Sequence, residues 1–371
     1  MLFGSFLTEN SMLNERIVSM AIVFAGTISK GWLAQALGIK FNYDYYFDPY
    51  HRHRIDAQCQ EYTRVTFPDL AIIYSESNAG RAEYISSNQV LVGGIQPNMI
   101  LGMLLGADFV PNDEFDPDIS INCLKDAGPE DLPPVKSLLD HKIVKQFDEQ
   151  ILKIKSDTSS DLCVIPPFFW DNSGRIFLHG VMTSAQKFFG ENIFVDMLAD
   201  PERCHTIMAW MADAYIVLAE HFSQIAEFPI TSVHVGECSS CMIDVDSFDQ
   251  FVVPQTSQIG KALGPLRFHS CGCSTHLVKS VQQITNIVTL DTGGETSIAD
   301  IRESFGNDFP VSIAPMAVDL SAKTSKPILD WAQRIVEENG NGDLKIVYHL
   351  EPNYKLDILK DLNRYIKEAV A

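Results

Sequence analysis

The sequence is poor in positive charge. Its 371 residues hold 28 lysines and arginines against 48 aspartates and glutamates, a formal net charge of -20. Such a surface repels phosphate backbones and anionic lipid heads, so neither nucleic acid nor membrane is expected as a partner. Long apolar runs are missing too, and no stretch is suited to crossing a bilayer. The opening MLFGSFLTENSMLNERIVSMAIVFAG has no basic leader region, and Glu9, Glu15 and Arg16 interrupt its apolar positions. A cytoplasmic protein is therefore expected. No glycine-rich dinucleotide fingerprint opens a strand–helix unit, and no tandem repeat or low-complexity tract stands out.

Cysteine, by contrast, is present and clustered. The eight are Cys59, Cys123, Cys163, Cys204, Cys238, Cys241, Cys271 and Cys273. In a long chain without an export signal they are expected as thiols or ligands rather than disulfides.

Residues 1–50 read as one or two helices followed by an aromatic loop, FNYDYYFDPYHRHR, with Thr8 or Asn10 as first N-cap. DLAIIYSE reads as a strand, and the stretch LVGGIQPNMILGMLLGADFV as glycine turns leading into an apolar helix. From about residue 160 strands and helices alternate to the C-terminus. The strands are DLCVIPPFF, the stretch at SVHVGEC, PLRF, NIVTLD, PVSIAPMAV and LKIVYHL. Helices lie between them, including FVDMLADPERCHTIMAWMADAYIVLAEHF, DSFDQFVVPQTSQIGKAL, SIADIRESFG and KPILDWAQRIVEENG. This rhythm predicts an α/β protein built as one (β/α)8 TIM barrel over residues 1–371, with residues 1–70 as an N-terminal helical and loop extension.

In such a barrel chemistry sits at the C-terminal strand ends. Glu237, Cys238 and Cys241 follow SVHV; His269, Cys271 and Cys273 follow PLRF; Asp291 ends NIVTL; His349 and Glu351 end KIVY. His269 and Cys271 are two apart, so an extended exit turns both the same way. An imidazole and a thiolate together suit zinc. The plain alternative is a buried cysteine beside a hydrogen-bonded histidine. Cys238-Ser-Ser-Cys241 reads as a zinc half-site or, equally, as two unrelated residues; a redox pair would need the motif to open a helix in a small domain, which is not the context here. Glu237 can position a substrate or form a rim salt bridge. Asp291 can be a ligand, an acceptor to a ligand, or a helix cap. His349 or Glu351 can complete a metal site or be an ordinary surface residue. The other histidines, His179 and His234 among them, read as structural or solvated.

The stretches FVDMLADPERCHTIMAWMADAY, VGEC followed by DSFDQFVVP, FHSCGCSTHLV, and VTLD with its following helix carry a resemblance to the uroporphyrinogen decarboxylase superfamily. The resemblance covers most of the chain and is stronger from about residue 160. It implies a (β/α)8 barrel and one of two activities. One branch decarboxylates a tetrapyrrole without a cofactor and uses an N-terminal arginine-bearing motif. Here residues 1–50 contain only Arg16. The other branch consists of zinc methyltransferases that pass a methyl group between a corrinoid protein and a thiol or another acceptor. His269-x-Cys271-Gly272 resembles their H-x-C-G zinc motif. In them a further cysteine near the end of the last strand completes the site, whereas IVYHLEPN has none. The resemblance therefore leaves His349, Glu351 or Cys238 as substitutes. Asp291 falls where some of these enzymes place an acidic residue that ligates zinc in the absence of substrate.

The expectation is thus a zinc-dependent methyltransferase that works with a methylcorrinoid supplied by a corrinoid carrier protein and with a small thiol or methyl donor. Expected metal ligands are His269 and Cys271 with His349, Glu351 or Cys238, and expected catalytic residues are Asp291 and Glu237. A cofactor-free carboxy-lyase acting on a polycarboxylate is the alternative, followed by a non-catalytic corrinoid-binding protein.

Overall fold

The computed structural model describes residues 22–68, 70, 72–73, 88–157, 159, 161–169 and 171–369. The strands among them are β1 (Ile22–Ile28), β2 (Ile72–Ile73), β3 (Gln89–Leu91), β4 (Phe109–Val110), β5 (Asp118–Ile119), β6 (Cys163–Ile165), β7 (Arg175–His179), β8 (Ser232–Gly236), β9 (Leu266–Ser270), β10 (Ile287–Gly293), β11 (Val311–Ala314) and β12 (Leu344–Leu350). Eight form one curled sheet in the order β2-β1-β12-β11-β10-β9-β8-β7, every ladder parallel. β3 pairs with β6 in a separate parallel ladder, and β4 with β5 in a short antiparallel one.

The fold is therefore α/β with a mostly parallel sheet, as the alternating sequence predicts. Closure into a full barrel is not observed. Among the described residues β7 and β2 stand at opposite ends of the order with no ladder between them, and β3 pairs with β6 apart from this sheet.

From β8 onward the segments fold as their patterns dictate, whereas β7 and helix Val181–Phe189 lie where no element is predicted. Helix Lys326–Asn339 buries Ile328, Trp331, Ala332 and Ile335, the spacing of one helical face. Helix Ile298–Phe305 starts at Ser297, whose side chain accepts from the Asp300 N–H. The segment after β8 is helical from Val245 to Leu263, with a π turn at Phe248–Val252. β8 is buried along VHVG, as a strand covered on both faces must be.

The N-terminal region departs from expectation. β1 lies where helix is predicted and pairs along its whole length with β12. The aromatic stretch expected as loop is helical over Tyr43–Phe47 and Pro49–Thr66. Asn42 caps the first of these helices, and Asp48 caps the second ahead of Pro49 at its start. Tyr45, Tyr46 and Phe47 are buried. The expected caps Thr8 and Asn10, and most of DLAIIYSE, lie outside the described residues.

Parallel register sets the site. His179 pairs with Gly236, Gly236 with His269, His269 with Asp291, and Asp291 with Ser312. Residues across a row share a face, and a residue two positions earlier lies on that same face. The row beneath is Phe177, His234, Arg267 and Thr289.

Candidate metal and thiol site

Adjacent strands β8 and β9 deliver the sulfur and imidazole groups. The Glu237 N–H donates to the His269 carbonyl at 2.7 Å, extending the β8–β9 ladder just past its end. Cys238 then opens a 3-10 turn, and Cys271 leaves β9. Donor atoms of Cys238, His269 and Cys271 all lie within 4.8 Å of one another. The sequence-predicted pair therefore meets, and Cys238 joins it.

The three groups polarise one another. The Cys238 thiol donates to Cys271, which holds the Cys271 thiol well below its ordinary range, and His269 adds to the effect. Cys238 is raised correspondingly, first by that hydrogen bond and then by burial. Burial alone would lower His269, but the Asp291 carboxylate and Cys271 bring it up to about 9. Without metal, these shifts all favour charge on Cys271 and His269 and the proton on Cys238.

Beneath it lies a charged interior. Asp291 Oδ2 is 3.0 Å from His269 Nδ1 and 2.8 Å from Arg267 Nη2. Both are close charge contacts rather than aligned hydrogen bonds: His269 Nδ1, Arg267 Nη2 and Arg267 Nε are buried without a hydrogen-bond partner. Burial works against the Asp291 charge, but Arg267 and His269 together hold the carboxyl well below the usual range. His234 stacks on Phe177 with ring centres 4.9 Å apart and stands 5.6 Å from the His269 ring. Burial keeps His234 and His179 neutral, the latter lowered to about 3. His234, His269 and Asp291 also bring donor atoms within 4.8 Å of one another.

Glu237 does not face the trio as a catalytic group would. It is fully buried and accepts from the backbone N–H of Met182 and Thr183 and from the Thr183 hydroxyl, at 3.1–3.2 Å. A carboxylate at the start of helix Val181–Phe189 satisfies orphan donors and the helix dipole. Burial outweighs those bonds and pushes its pKa up to about 7.

His349 and Glu351 are not brought to the cluster. β12 is separated from β9 by β11 and β10. His349 Nδ1 bonds Thr27 Oγ1 at 2.6 Å, and Nε2 lies 3.7 Å from Glu351. Cys241 points its thiol at the Cys238 carbonyl, 3.1 Å away, and Cys273 lies beside Thr275 and the Glu295 carbonyl. Sequence reasoning missed Arg267, His234 and His179. Their signal was the period of two running back from His269 and across the neighbouring strands.

No protein-family model matches the chain, and no curated protein matches it. Among solved structures, a methyltransferase from Methanosarcina mazei aligns over 95% of this chain and 95% of its own, with TM-score 0.60 and 13% identity. A B12-independent methionine synthase from Shewanella sp. W3-18-1 aligns over 60% of this chain and 67% of its own, with TM-score 0.39 and 12% identity. The first likeness establishes a shared fold; the second is too distant to carry an argument. Among the described residues no helix is long and apolar enough to cross a membrane.

Proposed function

We propose that the chain is a zinc-dependent methyltransferase of the uroporphyrinogen decarboxylase superfamily. It would move a methyl group between a corrinoid on a partner protein and a small thiol or methylated compound. The observation that carries this reading is the meeting of Cys238, His269 and Cys271 within 4.8 Å at adjacent strand ends. A fold shared with the Methanosarcina mazei methyltransferase supports it.

The donor set fits zinc. Tetrahedral zinc with two thiolates and one imidazole separates its donors by about 3.6–3.8 Å. Contraction of at most about 1.2 Å would therefore seat the ion. Two thiolates balance its charge, and three protein ligands leave one position for substrate. When bound, the ion would supply the Lewis acidity that holds a substrate thiol as thiolate at neutral pH.

The chain's own residues do the rest. Glu237, clamped at the start of helix Val181–Phe189, fixes the end of β8 and so the position of Cys238. Cys271 is exposed, which leaves the trio open to small molecules at the sheet's C-terminal edge. Met242, after β8, and Val318, after β11, are exposed apolar side chains near the same edge.

Methyl transfer from methylcobalamin to a panel of small thiols, under anaerobic conditions and with zinc present, tests the reading. Wild type should methylate at least one thiol, and folded Cys271→Ala should methylate none. Full activity in Cys271→Ala, or no transfer in either direction by the zinc-loaded wild type, would end the proposal.

A further inference from the structure

We propose that Asp291, held by Arg267, is a positioning residue that sets the orientation and tautomer of His269, and that it is not itself a metal ligand. The effect on metal binding rests on the zinc reading above; the tautomer does not. Two metal-capable groups share His269: an outer one with Cys238 and Cys271, and an inner one with His234 and Asp291. The resemblance of the sequence makes Asp291 a candidate ligand, which would favour the inner group. The charges argue against it. Arg267 Nη2 stands 2.8 Å from Asp291 Oδ2, so the carboxylate is already paired with a cation. A divalent cation there would meet a buried guanidinium at close range, in surroundings that screen little.

The same oxygen lies 3.0 Å from His269 Nδ1. A carboxylate oxygen this close to Nδ1 favours the proton on that nitrogen by its charge, although the contact is not an aligned hydrogen bond, and leaves Nε2 with its lone pair. Register makes the arrangement a consequence of the sheet. Asp291 is the direct cross-strand partner of His269, and Arg267 lies two residues before His269 on the same face. Gly236, the partner of His269 on the other side, leaves the ring room; even a Cβ there would make only ordinary contact, 3.8 Å from His269 Cδ2.

Selective 15N-histidine NMR of the metal-free chain, above the His269 value of about 9, reads the tautomer directly. Competition with a chromogenic chelator reads zinc affinity. Wild type should carry the His269 proton on Nδ1, and Asp291→Ala should shift it towards Nε2. Asp291→Ala should also weaken zinc binding by about 10–100-fold. Asp291→Asn, which keeps an acceptor, should recover part of both effects. Arg267→Met should weaken zinc binding by releasing Asp291. Tighter zinc binding in Arg267→Met would mark Asp291 as a ligand and overturn the proposal. So would a wild-type proton on Nε2, or a tautomer unmoved in Asp291→Ala. If Arg267→Met fails to fold, the Asp291 variants still decide. A wild type that binds no zinc would overturn the methyltransferase reading, while the NMR result would still decide the role of Asp291.

Discussion

Gly293 is the residue whose substitution most directly probes how the sheet holds Cys271. It ends β10, against the exit of β9. A Cβ built there would lie 2.1 Å from the Cys271 carbonyl oxygen, 2.8 Å from its carbon and 2.9 Å from the Gly272 oxygen. All three are backbone atoms, so no rotamer change clears them. Ordinary contact begins near 3.4 Å, so the Cys271–Gly272 segment must retreat by about 1.3 Å in Gly293→Ala. Such overpacking costs roughly 1–3 kcal/mol. For 371 residues, at about 2.1 cal/mol/K each, that is a Tm fall of about 1–4 °C. The effect on metal should be larger. A zinc–sulfur bond of about 2.3 Å has no slack of that size. Loss of an outer-shell partner alone costs about 10–100-fold in affinity, so displacing a ligand should cost on the order of 100-fold or more. Gly236→Ala is the control. It lies on β8, where the nearest atoms to an added Cβ are 3.7 and 3.8 Å away. Zinc titration against a chelator, with thermal melts alongside, should separate the two variants. Wild-type zinc affinity in Gly293→Ala would refute the link between the β10 end and the position of Cys271.

Cys271 is exposed and held as thiolate by Cys238 and His269, so alkylation of the metal-free chain at mildly acidic pH should reach it first. Peptide mass spectrometry should show zinc protecting it; faster labelling of Cys163, exposed outside the cluster, would contradict the assignment. Glu237 should make stability fall as pH rises. Its pKa is raised from 4.5 to about 7, so the folded state holds the proton more tightly and unfolding releases it across that window. Its contribution is about 1 kcal/mol per pH unit, opposite in sign to that of the lowered Cys271 thiol, so it should be read in urea titrations as the difference in slope between wild type and Glu237→Gln. Asp291 acts in the opposite sense: its pKa is lowered, so its contribution is present above its ordinary value of 3.8 and fades on acidification below it. His349→Ala should leave zinc affinity unchanged in the same chelator titration, because its ring is bonded to Thr27 and lies away from the trio.

The C-terminal half was legible because its strands are short β-branched runs and its helices carry clean apolar faces. SVHV, PLRF, NIVTL and KIVY appear as β8, β9, β10 and β12, and the residues just after them gather at one edge. His269 and Cys271 could be paired from spacing alone. Cys238 needed the β8–β9 pairing, which is a tertiary fact. The strand at Ile22–Ile28 was lost inside an apolar stretch that reads equally as helix. The aromatic helices were missed because burial of Tyr45, Tyr46 and Phe47 was invisible, although Asn42 and the Asp48–Pro49 start were readable as caps. The partners of Glu237 were hidden for a related reason. A carboxylate past a strand end suggests chemistry, whereas here the start of the neighbouring helix claims both of its oxygens.

The central claim is that Cys238, His269 and Cys271 hold a zinc ion. Metal analysis by mass spectrometry of protein purified without oxygen or chelator, with Cys271→Ala alongside, tests it most directly. The account predicts one zinc per wild-type chain and its loss in the variant. Wild-type protein that carries no zinc and cannot be loaded with it would contradict the account.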